Sequence, residues 1–321
     1  MNESPSPIVS VIVPNYNHAQ YLPLRLETIL NQTFQNFEVI ILDDASKDNS
    51  QEVIQQLAST DSRIKVYFNR TNSGSPFAQW NKGVSLASGK YIWIAESDDY
   101  ADEALLATLL PKLQDSNLEI GLAYCQSISV DQNGKFRKSL QSWTDELDTE
   151  RWNHDFYSNG HDECRNFLLK KNTIPNASAV LFKKELFEQA NMANTEFKRC
   201  GDWLMWIKIL SISNIYFSAN HLNYFRHHEK STRAFQSPQE VYNRVAEEYY
   251  LLNYVLDKKI VEPTDSELDK VFDIYFERSM RLFSNSQKVS VSFIKFIKFA
   301  QKIDKSIYSR FKRHIQKKLL S

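Results

Sequence analysis

The sequence lacks three features that mark common protein classes: long apolar runs, paired cysteines and glycine-rich loops. Its apolar stretches, such as Ile8–Val13 and Val39–Leu42, are far shorter than the about 20 residues of a membrane-crossing helix. No charged-then-apolar signal precedes a cleavage site, which predicts a protein that is not secreted. The three cysteines are widely spaced and form no CxxC pair, which argues against a disulfide scaffold or zinc ribbon and favours a reducing cytosol.

Glycine is also scarce, with seven residues in 321. No GxGxxG follows the first predicted strand, and no GxxxxGK followed by Ser or Thr occurs anywhere. Dinucleotide-dependent dehydrogenases and P-loop triphosphatases hold phosphates with those loops, so both classes are disfavoured. The composition, 42% hydrophobic and 24% charged, is that of a folded globular chain, long enough for one large domain with an appendage.

The formal net charge of zero hides an uneven distribution of charge along the chain. Residues 288–321 carry ten Lys or Arg against Asp304, so this tail is strongly basic and the remainder is acidic. An acidic body argues against nucleic acid as the main partner. The basic tail suits an anionic surface such as a membrane.

Short β-rich segments alternate with helical patterns over the first hundred residues. Continuous apolar strands separated by amphipathic helices are typical of a parallel sheet covered on both faces. We therefore predict an α/β fold with a mainly parallel central sheet flanked by helices. The polar stretch Asp131–Gly160 is predicted to be a long loop, and the chain from Gln239 onward is predicted to be helical, ending in one helix over Ser290–Leu319.

Polar residues follow three of the first four predicted strands, at Asn15, Asp43-Asp44 and Asp98-Asp99. Ligands of open α/β sheets bind at the carboxyl ends of the strands, so these residues are expected to meet. Adjacent carboxylates repel each other unless a cation is present, and hard oxygen ligands suit Mg²⁺ or Mn²⁺. The simpler alternative is that these acids cap helices and initiate turns.

Five segments in order resemble glycosyltransferase family 2: residues 11–17 (VIVPNYN), 41–48 (ILDDASKD), 72–74 (NSG), 80–83 (WNKG) and 89–99 (GKYIWIAESDD). The resemblance implies an inverting enzyme with the A-type glycosyltransferase fold. It also implies a catalytic domain over residues 1–232, with a nucleotide-sugar half at about 8–100 and an acceptor half at about 101–232. Residues 233–321 then form a helical extension that ends in the basic tail.

The resemblance implies roles at a nucleotide-sugar donor site. Tyr16 would flank or stack on the nucleotide base beside Pro14, and Asp44 would accept the base imide hydrogen, as in relatives that use uridine donors. Asp98 and Asp99 would hold Mn²⁺ or Mg²⁺ and contact the ribose and diphosphate. Asn81 and Lys82 would contact the ribose or phosphates. Arg226 would contact the diphosphate, and His228 would be a ligand of the metal.

Inverting transfer also needs a base that deprotonates the acceptor hydroxyl, and such a base contributes about 10²–10⁴-fold to the rate. In the family this base is an acidic residue at the start of a later helix, a position that Asp202 in the segment Gly201–Trp206 matches. The alternative for Asp202 is a helix-capping role favoured by the helix dipole.

The predicted function is therefore sugar transfer from a nucleotide-sugar, favoured as a UDP-sugar, to a hydroxyl of a glycan or lipid-linked acceptor in surface polysaccharide synthesis. A catalytically silent nucleotide-sugar-binding subunit and a nucleotidyltransferase are the alternatives, and the missing glycine-rich loop argues against the second. The expected location is cytoplasmic, with peripheral attachment at the inner face of the membrane. The amphipathic tail predicts either that attachment or packing of its apolar stripe on the body.

Overall fold

The computed structural model describes residues 6–228, 237–285 and 291–320. The chain divides into two units, Met1–Glu163 with Thr173–Glu229, and Cys164–Asn172 with Lys230–Ser321. The predicted domain boundary at residues 232/233 lies outside the described residues. The short segment Cys164–Asn172, which the sequence prediction placed in the acceptor half, groups with the C-terminal helices.

The first half of the large unit is a parallel sheet in the order β3-β2-β1-β4. All residues of the two central strands are buried, because helices cover both faces of the sheet. Gly83 of α3 permits this close packing, since an added Cβ would lie 2.4 Å from Ile12 Cγ2. The elements are β1 (Val9–Asn15), α1 (Leu22–Leu30), β2 (Phe37–Asp43), α2 (Ser50–Ala58), β3 (Ile64–Phe68), α3 (Pro76–Leu86) and β4 (Tyr91–Ile94).

The second half of the sheet is mixed. Strand β9 runs antiparallel between β4 and β6, β10 runs parallel to β6, and β5 closes the edge antiparallel to β10. The α/β class with flanking helices is confirmed, and the parallel arrangement holds for the first half. The elements are β5 (Tyr100–Ala101), α4 (Leu105–Gln114), β6 (Ile120–Val130), β7 (Phe136–Ser139), β8 (Phe156–Ser158), α5 (Gly160–Glu163), β9 (Val180–Lys183), α6 (Lys184–Gln189), α7 (Gly201–Leu210) and β10 (Asn214–Arg226).

The predicted long loop at Asp131–Gly160 is wrong in part, because it contains β7 and β8. Strand β7 pairs with β6, and β8 pairs with β10, both antiparallel. Neither strand has a buried residue. Such strands show no alternation of apolar and polar residues. They belong to the sheet because they pair with a neighbouring strand, and not because their side chains are buried.

The second unit contains four α-helices in its described part: α8 (Pro238–Asp257), α9 (Asp265–Asn285), α10 (Val291–Ala300) and α11 (Ile307–Leu320). Phe296 of α10 is buried against Tyr249 of α8 and Phe283 of α9. The predicted single helix over Ser290–Leu319, whose first residue lies outside the described residues, is wrong because α10 and α11 are separate. The buried Asp304 between them accepts hydrogen bonds from the Ser306 N–H and the Arg310 guanidinium, and so starts the second helix.

Among these described residues, no helix is both long enough and apolar enough to cross a membrane.

Candidate functional site

The loops that follow β1 and β2 are joined by the buried carboxylate of Asp43. The two strands pair in register at their last residues, Asn15 and Asp43. The Asn15 amide donates to Asp43 Oδ1 at 2.8 Å, and Ser46 donates to the same carboxylate from both its N–H and its hydroxyl. Asn17 and Ala45 adopt left-handed backbone conformations in these loops. Asp43 is thus a framework residue that fixes the two loops of the site.

The structure places Tyr16 and Pro14 at the end of β1 in different environments. Pro14 is buried in the strand, opposite Leu42 of β2. Tyr16 follows the strand and exposes 43% of its surface, so the ring is open to a ligand. An exposed aromatic ring directly after a buried strand is suited to stacking on a flat base.

Asp44 is only 5% exposed and lies at the centre of a hydrogen-bond network. Its carboxylate accepts from the amides of Asn69 and Gln79, and from both the N–H and the hydroxyl of Ser73. The Asn72 amide donates to the Asp44 carbonyl at 3.1 Å. The loop from residue 69 to residue 75 is therefore built around Asp44.

Asn81 and Lys82, both on α3, have protein partners. The Asn81 amide forms a pair of hydrogen bonds with the backbone of Ala193, each 2.9 Å long. The Lys82 ammonium donates to Asn69 Oδ1 at 2.5 Å, and Asn69 in turn donates to Asp44. Lys82 lies beside the Asp44 network, whereas Asn81 joins α3 to the chain that leads to α7. Their contacts with ribose or phosphates stay predictions.

Asp98 faces two histidines. His228 Nε2 lies 2.9 Å from Asp98 Oδ2, and one ligand atom each from His18, Asp98 and His228 lie within 4.8 Å of one another. Burial disfavours the Asp98 carboxylate, but the hydrogen bond from His228 and the nearby imidazoles outweigh that effect and lower its pKa. The cluster brings together two of the predicted metal ligands, Asp98 and His228, and adds His18, which the sequence analysis did not name; metal binding by these residues stays a prediction.

Asp99 points away from this cluster, into the protein. Its Oδ2 accepts from Asn176 Nδ2 at 2.9 Å and Ser178 Oγ at 2.7 Å, while its Oδ1 accepts from the Arg226 N–H at 2.9 Å. Burial, followed by the charge of Asp98, raises the pKa of Asp99 to about 6. The prediction that Asp99 is a metal ligand has no support from this geometry, because three protein donors already engage its two oxygens.

Arg226 is buried and holds the acidic loop, the segment that contains Glu96, Asp98 and Asp99, through hydrogen bonds to backbone carbonyls. Its side chain donates to the carbonyls of Asp98, Asp131 and Gln132. The guanidinium carbon lies 4.8 Å from the ring centroid of Tyr21, which adds a cation–π contact. In this arrangement Arg226 positions Asp98 and Asp99, and its contact with a diphosphate stays a prediction.

Two further groups shape the electrostatics below the acidic loop. Glu96 accepts a hydrogen bond from the Trp80 indole, and burial together with the charge of Asp98 raises its pKa to about 8. Arg25 is fully buried with its guanidinium 4.9 Å from the Trp93 ring, and no described residue hydrogen-bonds its side chain. Burial lowers the pKa of Arg25 to about 10, against the opposing charge of the three acids at positions 96, 98 and 99. Arg25 is thus a buried counter-charge to them.

Asp202 lies in the first turn of α7, where its Oδ1 accepts the N–H of Trp203 at 2.7 Å. The residue at the N-cap is Cys200, so Asp202 is not the capping residue. Gly201 brings this helix end against Phe77 of α3, since an added Cβ would lie 2.5–2.7 Å from three ring carbons of Phe77. Contacts between α3 and α7 therefore set the position of Asp202.

We expect Gly201→Ala to destabilise the protein by about 1–3 kcal/mol, because the new methyl group overpacks a buried contact. Urea unfolding measures the change. The double variant Gly201→Ala/Phe77→Leu should recover part of the loss, since the smaller side chain vacates the space of the ring. Equal unfolding midpoints for wild type and Gly201→Ala would contradict the packing described above.

The structure thus gathers Tyr16, Asp44 and Asp98 on the loops that follow β1, β2 and β4, with His228 beside Asp98. Sequence reasoning missed His18. It placed the loop Asn72–Gly83 at the donor site without identifying Ser73 and Gln79 as partners of Asp44, and it gave no role to the Asp99 partners Asn176 and Ser178. The sequence did contain one signal for His18, because this residue lies three positions after the end of the first strand. The partners of Asp99 gave no such signal, since they are almost 80 residues away in sequence.

The sequence profile described as "Glycosyl transferase family 2" matches residues 10–189, more than half of the chain. The chain belongs to glycosyltransferase family 2. It is 33% identical to the glycosyltransferase GlyG of Streptococcus pneumoniae over 205 residues, which span 59% of this chain and 61% of GlyG. An uncharacterised family relative from Haemophilus influenzae is 43% identical over 94 residues, 29% of this chain and 37% of the relative. The chain thus matches less than two thirds of the length of either protein.

A longer alignment joins this family 2 chain to a Campylobacter jejuni protein named GalNAc(5)-diNAcBac-PP-undecaprenol beta-1,3-glucosyltransferase. The two are 26% identical over 84% of this chain and 81% of the relative. Among solved structures, S. aureus TarS 1–349 in complex with UDP-GlcNAc superposes with a TM-score of 0.65 at 19% identity, over 94% of this chain and 83% of that one. The mannosyltransferase PcManGT from Pyrobaculum calidifontis, with GDP-Man and Mn²⁺, gives a TM-score of 0.60 at 15% identity, over 92% and 76%. These likenesses establish the A-type glycosyltransferase fold.

Proposed function

We propose that this protein is a metal-dependent inverting glycosyltransferase that uses a UDP-sugar donor. The observation that carries the proposal is the grouping of Asp98 with His18 and His228 at the strand ends that also carry Tyr16 and Asp44. In open α/β sheets this edge is where ligands bind. The family membership of the chain gives the chemistry, sugar transfer from an activated donor.

The nucleotide part of the donor would lie between the β1 and β2 loops. The exposed ring of Tyr16 offers a stacking surface, and the Asp44 carboxylate would accept an imide N–H in exchange for one of its present donors. Uracil has such an N–H in its ring. Cytosine has an unprotonated ring nitrogen at that position, and the lone pair of this nitrogen would repel the lone pairs of the carboxylate. This pairing favours UDP over CMP, and UDP-GlcNAc and UDP are bound by the structural neighbour TarS.

The donor set of the proposed metal site fits a divalent cation that accepts both nitrogen and oxygen ligands. Two imidazoles and one carboxylate suit Mn²⁺ better than Mg²⁺, because Mg²⁺ is held mainly by oxygen. His18, Asp98 and His228 would hold the ion and leave positions for the diphosphate. The bound ion would neutralise charge that develops on the leaving diphosphate.

The base in this proposal is Asp202, which would take the proton of the acceptor hydroxyl while that oxygen attacks the anomeric carbon. The first turn of α7 holds the carboxylate rigidly, through its bond to the Trp203 N–H and the packing of Gly201 on Phe77. A fixed carboxylate reduces the cost of orienting the base at each turnover.

We infer that the acceptor is a glycan or a lipid-linked glycan in surface polysaccharide synthesis. We also infer that this protein attaches peripherally to an anionic membrane from the cytoplasmic side. The name of the C. jejuni relative describes an undecaprenol-linked glycan. On α10, Val291 and Ile294 are 71% and 54% exposed, while lysines alternate with the buried residues of the same helix. Exposed apolar residues flanked by lysine suit an anionic lipid surface. The partition into a catalytic domain at 1–232 and a helical extension at 233–321 belongs to the same proposal.

The test of this function is release of UDP from a panel of UDP-sugars in the presence of Mn²⁺, with the anomeric configuration of the product followed by NMR. We expect one UDP-sugar to be consumed with inversion at the anomeric carbon. A folded protein that binds UDP but consumes no sugar nucleotide with any glycan or lipid-linked acceptor would instead support the silent binding subunit. Release of pyrophosphate would indicate a nucleotidyltransferase.

Replacing Tyr16 with alanine tests the stacking surface. Loss of one base–aromatic contact is expected to weaken UDP binding by about 1–3 kcal/mol, or roughly 5- to 150-fold in Kd. Isothermal titration with UDP and Mn²⁺ measures this change. Tyr157→Ala is the matched control, because Tyr157 is exposed to a similar extent, 48%, on the edge strand β8. Equal Kd values for both variants and wild type would remove Tyr16 from the donor site.

A further inference from the structure

The Asp44 carboxylate has no free acceptor position for a nucleotide base. A carboxylate offers about four lone-pair sites. Five hydrogen bonds from four donor groups already engage the two oxygens: the amides of Asn69 and Gln79 donate to Oδ1, the Ser73 hydroxyl donates to Oδ2, and the Ser73 N–H is shared by both. A base that donates its imide N–H to Asp44 must therefore displace one of them. Ser73 supplies two of the four, so displacing it moves the loop at residues 72–75.

That loop is tied to the segment that leads into α7. Ser75 Oγ donates to the Thr195 carbonyl at 3.0 Å, and Lys198 Nζ donates to the Gly74 carbonyl at 2.6 Å. The Asn81 amide adds its two bonds to Ala193. These contacts bridge more than a hundred residues of sequence, and all of them fall within ten residues before Asp202.

The helix that follows the loop reaches the same place. Helix α3 begins at Pro76, next to Ser75, and its Phe77 ring contacts Gly201 at the start of α7. One turn further, the rings of Trp80 and Trp206 are 5.8 Å apart. The loop and the first turn of α3 therefore contact both the segment before Asp202 and the helix that carries it.

We propose that Ser75 and Lys198 are positioning residues that couple occupation of Asp44 by the nucleotide base to the placement of Asp202. This inference rests on the proposed function. In the free protein Ser73 takes the place of the base at Asp44. When the base enters, the loop at residues 72–75 shifts, and the bonds from Ser75 and Lys198 carry the shift to residues 193–202. The catalytic base Asp202 would thus reach its active position only when the donor is bound.

The test is hydrogen–deuterium exchange of the full chain with and without UDP and Mn²⁺. In the wild type, UDP is expected to change amide exchange by at least about threefold both in residues 69–79 and in residues 193–204. In Ser75→Ala/Lys198→Ala, the response of residues 69–79 should persist while that of residues 193–204 is reduced, since only the contacts of Asn81 and of helix α3 remain. Ser75 makes no side-chain helix cap, so its replacement leaves the start of α3 intact.

Two controls separate coupling from damage to the fold. Lys184→Ala removes a bond of the same kind, from a lysine ammonium to the Ala87 carbonyl at 2.7 Å, at the other end of α3. It should leave both responses as in the wild type. The single variant Lys198→Arg keeps native Ser75 and a donor for the Gly74 carbonyl. Its residues 193–204 should therefore respond to UDP as they do in the wild type, unlike those of the double alanine variant.

The outcomes are distinct. If wild-type protein binds UDP but residues 193–204 do not respond, or if the double variant responds as the wild type does, the coupling is refuted while the proposed donor site stands. If the wild type binds no UDP in the presence of Mn²⁺, the proposed function fails and the coupling fails with it.

Discussion

Asp202→Asn is expected to lower the turnover number by about 10²–10⁴-fold, because asparagine cannot accept the proton of the acceptor hydroxyl. The amide keeps the size of the side chain and an oxygen for the Trp203 N–H, so the helix start should be preserved. The Kd for UDP is expected to be unchanged, since Asp202 is proposed to act on the acceptor. Initial rates and calorimetric titration together measure this separation.

A helix-stabilising role for Asp202 predicts a different pattern. The matched control is Asp265→Asn, which removes an acidic residue from the first turn of α9 in the other unit. If both variants lose a similar few tenths of a kcal/mol in stability and neither loses turnover, Asp202 serves the helix dipole only. Full turnover by Asp202→Asn would refute its assignment as the base.

Asp98→Asn is expected to abolish the Mn²⁺-dependent part of UDP binding, a weakening of at least about 100-fold. Removing a group that only orients a metal ligand already costs 10- to 100-fold in affinity, and Asp98 is proposed as a ligand itself. The substitution also removes the negative charge that His228 contacts at 2.9 Å. Isothermal titration with UDP, in the presence of Mn²⁺ and then of a chelator, measures the difference.

The geometry predicts different results for the neighbouring residues. His18→Ala should weaken the Mn²⁺-dependent binding, because His18 completes the cluster. Asp99→Asn should instead lower the free energy of unfolding, since it disturbs bonds from Asn176, Ser178 and Arg226. Asp148→Asn, at an exposed carboxylate that accepts two backbone N–H groups of its own turn, is the control and should bind UDP as the wild type does. Loss of metal dependence in Asp99→Asn but not in Asp98→Asn would reverse the assignment.

The strand and helix pattern of the first hundred residues could be predicted from the sequence, because buried parallel strands are nearly all apolar and amphipathic helices separate them. The sequence predicts a helix over Ser50–Ala58 and a strand over Ile64–Phe68, and the structure has α2 and β3 at those bounds. The strands β7 and β8 could not be predicted, since both are short, have no buried residue and are placed in the sheet by their pairing partners. The break in the C-terminal helix depends on one buried pair, Asp304 with Arg310, which leaves the helical periodicity unchanged.

The candidate site could be predicted where it depends on strand ends, and not where it depends on contacts distant in sequence. Tyr16 and Asp44 follow their strands directly and Asp98 lies four residues after β4, so the topology brings them to one edge of the sheet. The different directions of Asp98 and Asp99 are set by Asn176, Ser178 and the Arg226 backbone, all far along the chain. Adjacent carboxylates look equivalent in a sequence, and only the packing around them separates a ligand from a framework residue.

The measurement that tests the central claim most directly is isothermal titration of the wild-type protein with UDP, with and without Mn²⁺. The account predicts binding that needs the metal and is lost in Asp98→Asn. UDP binding that is the same with metal and with chelator would contradict the proposed metal site. Absence of UDP binding in folded protein, with binding of GDP, dTDP or CMP instead, would contradict the assignment of the donor.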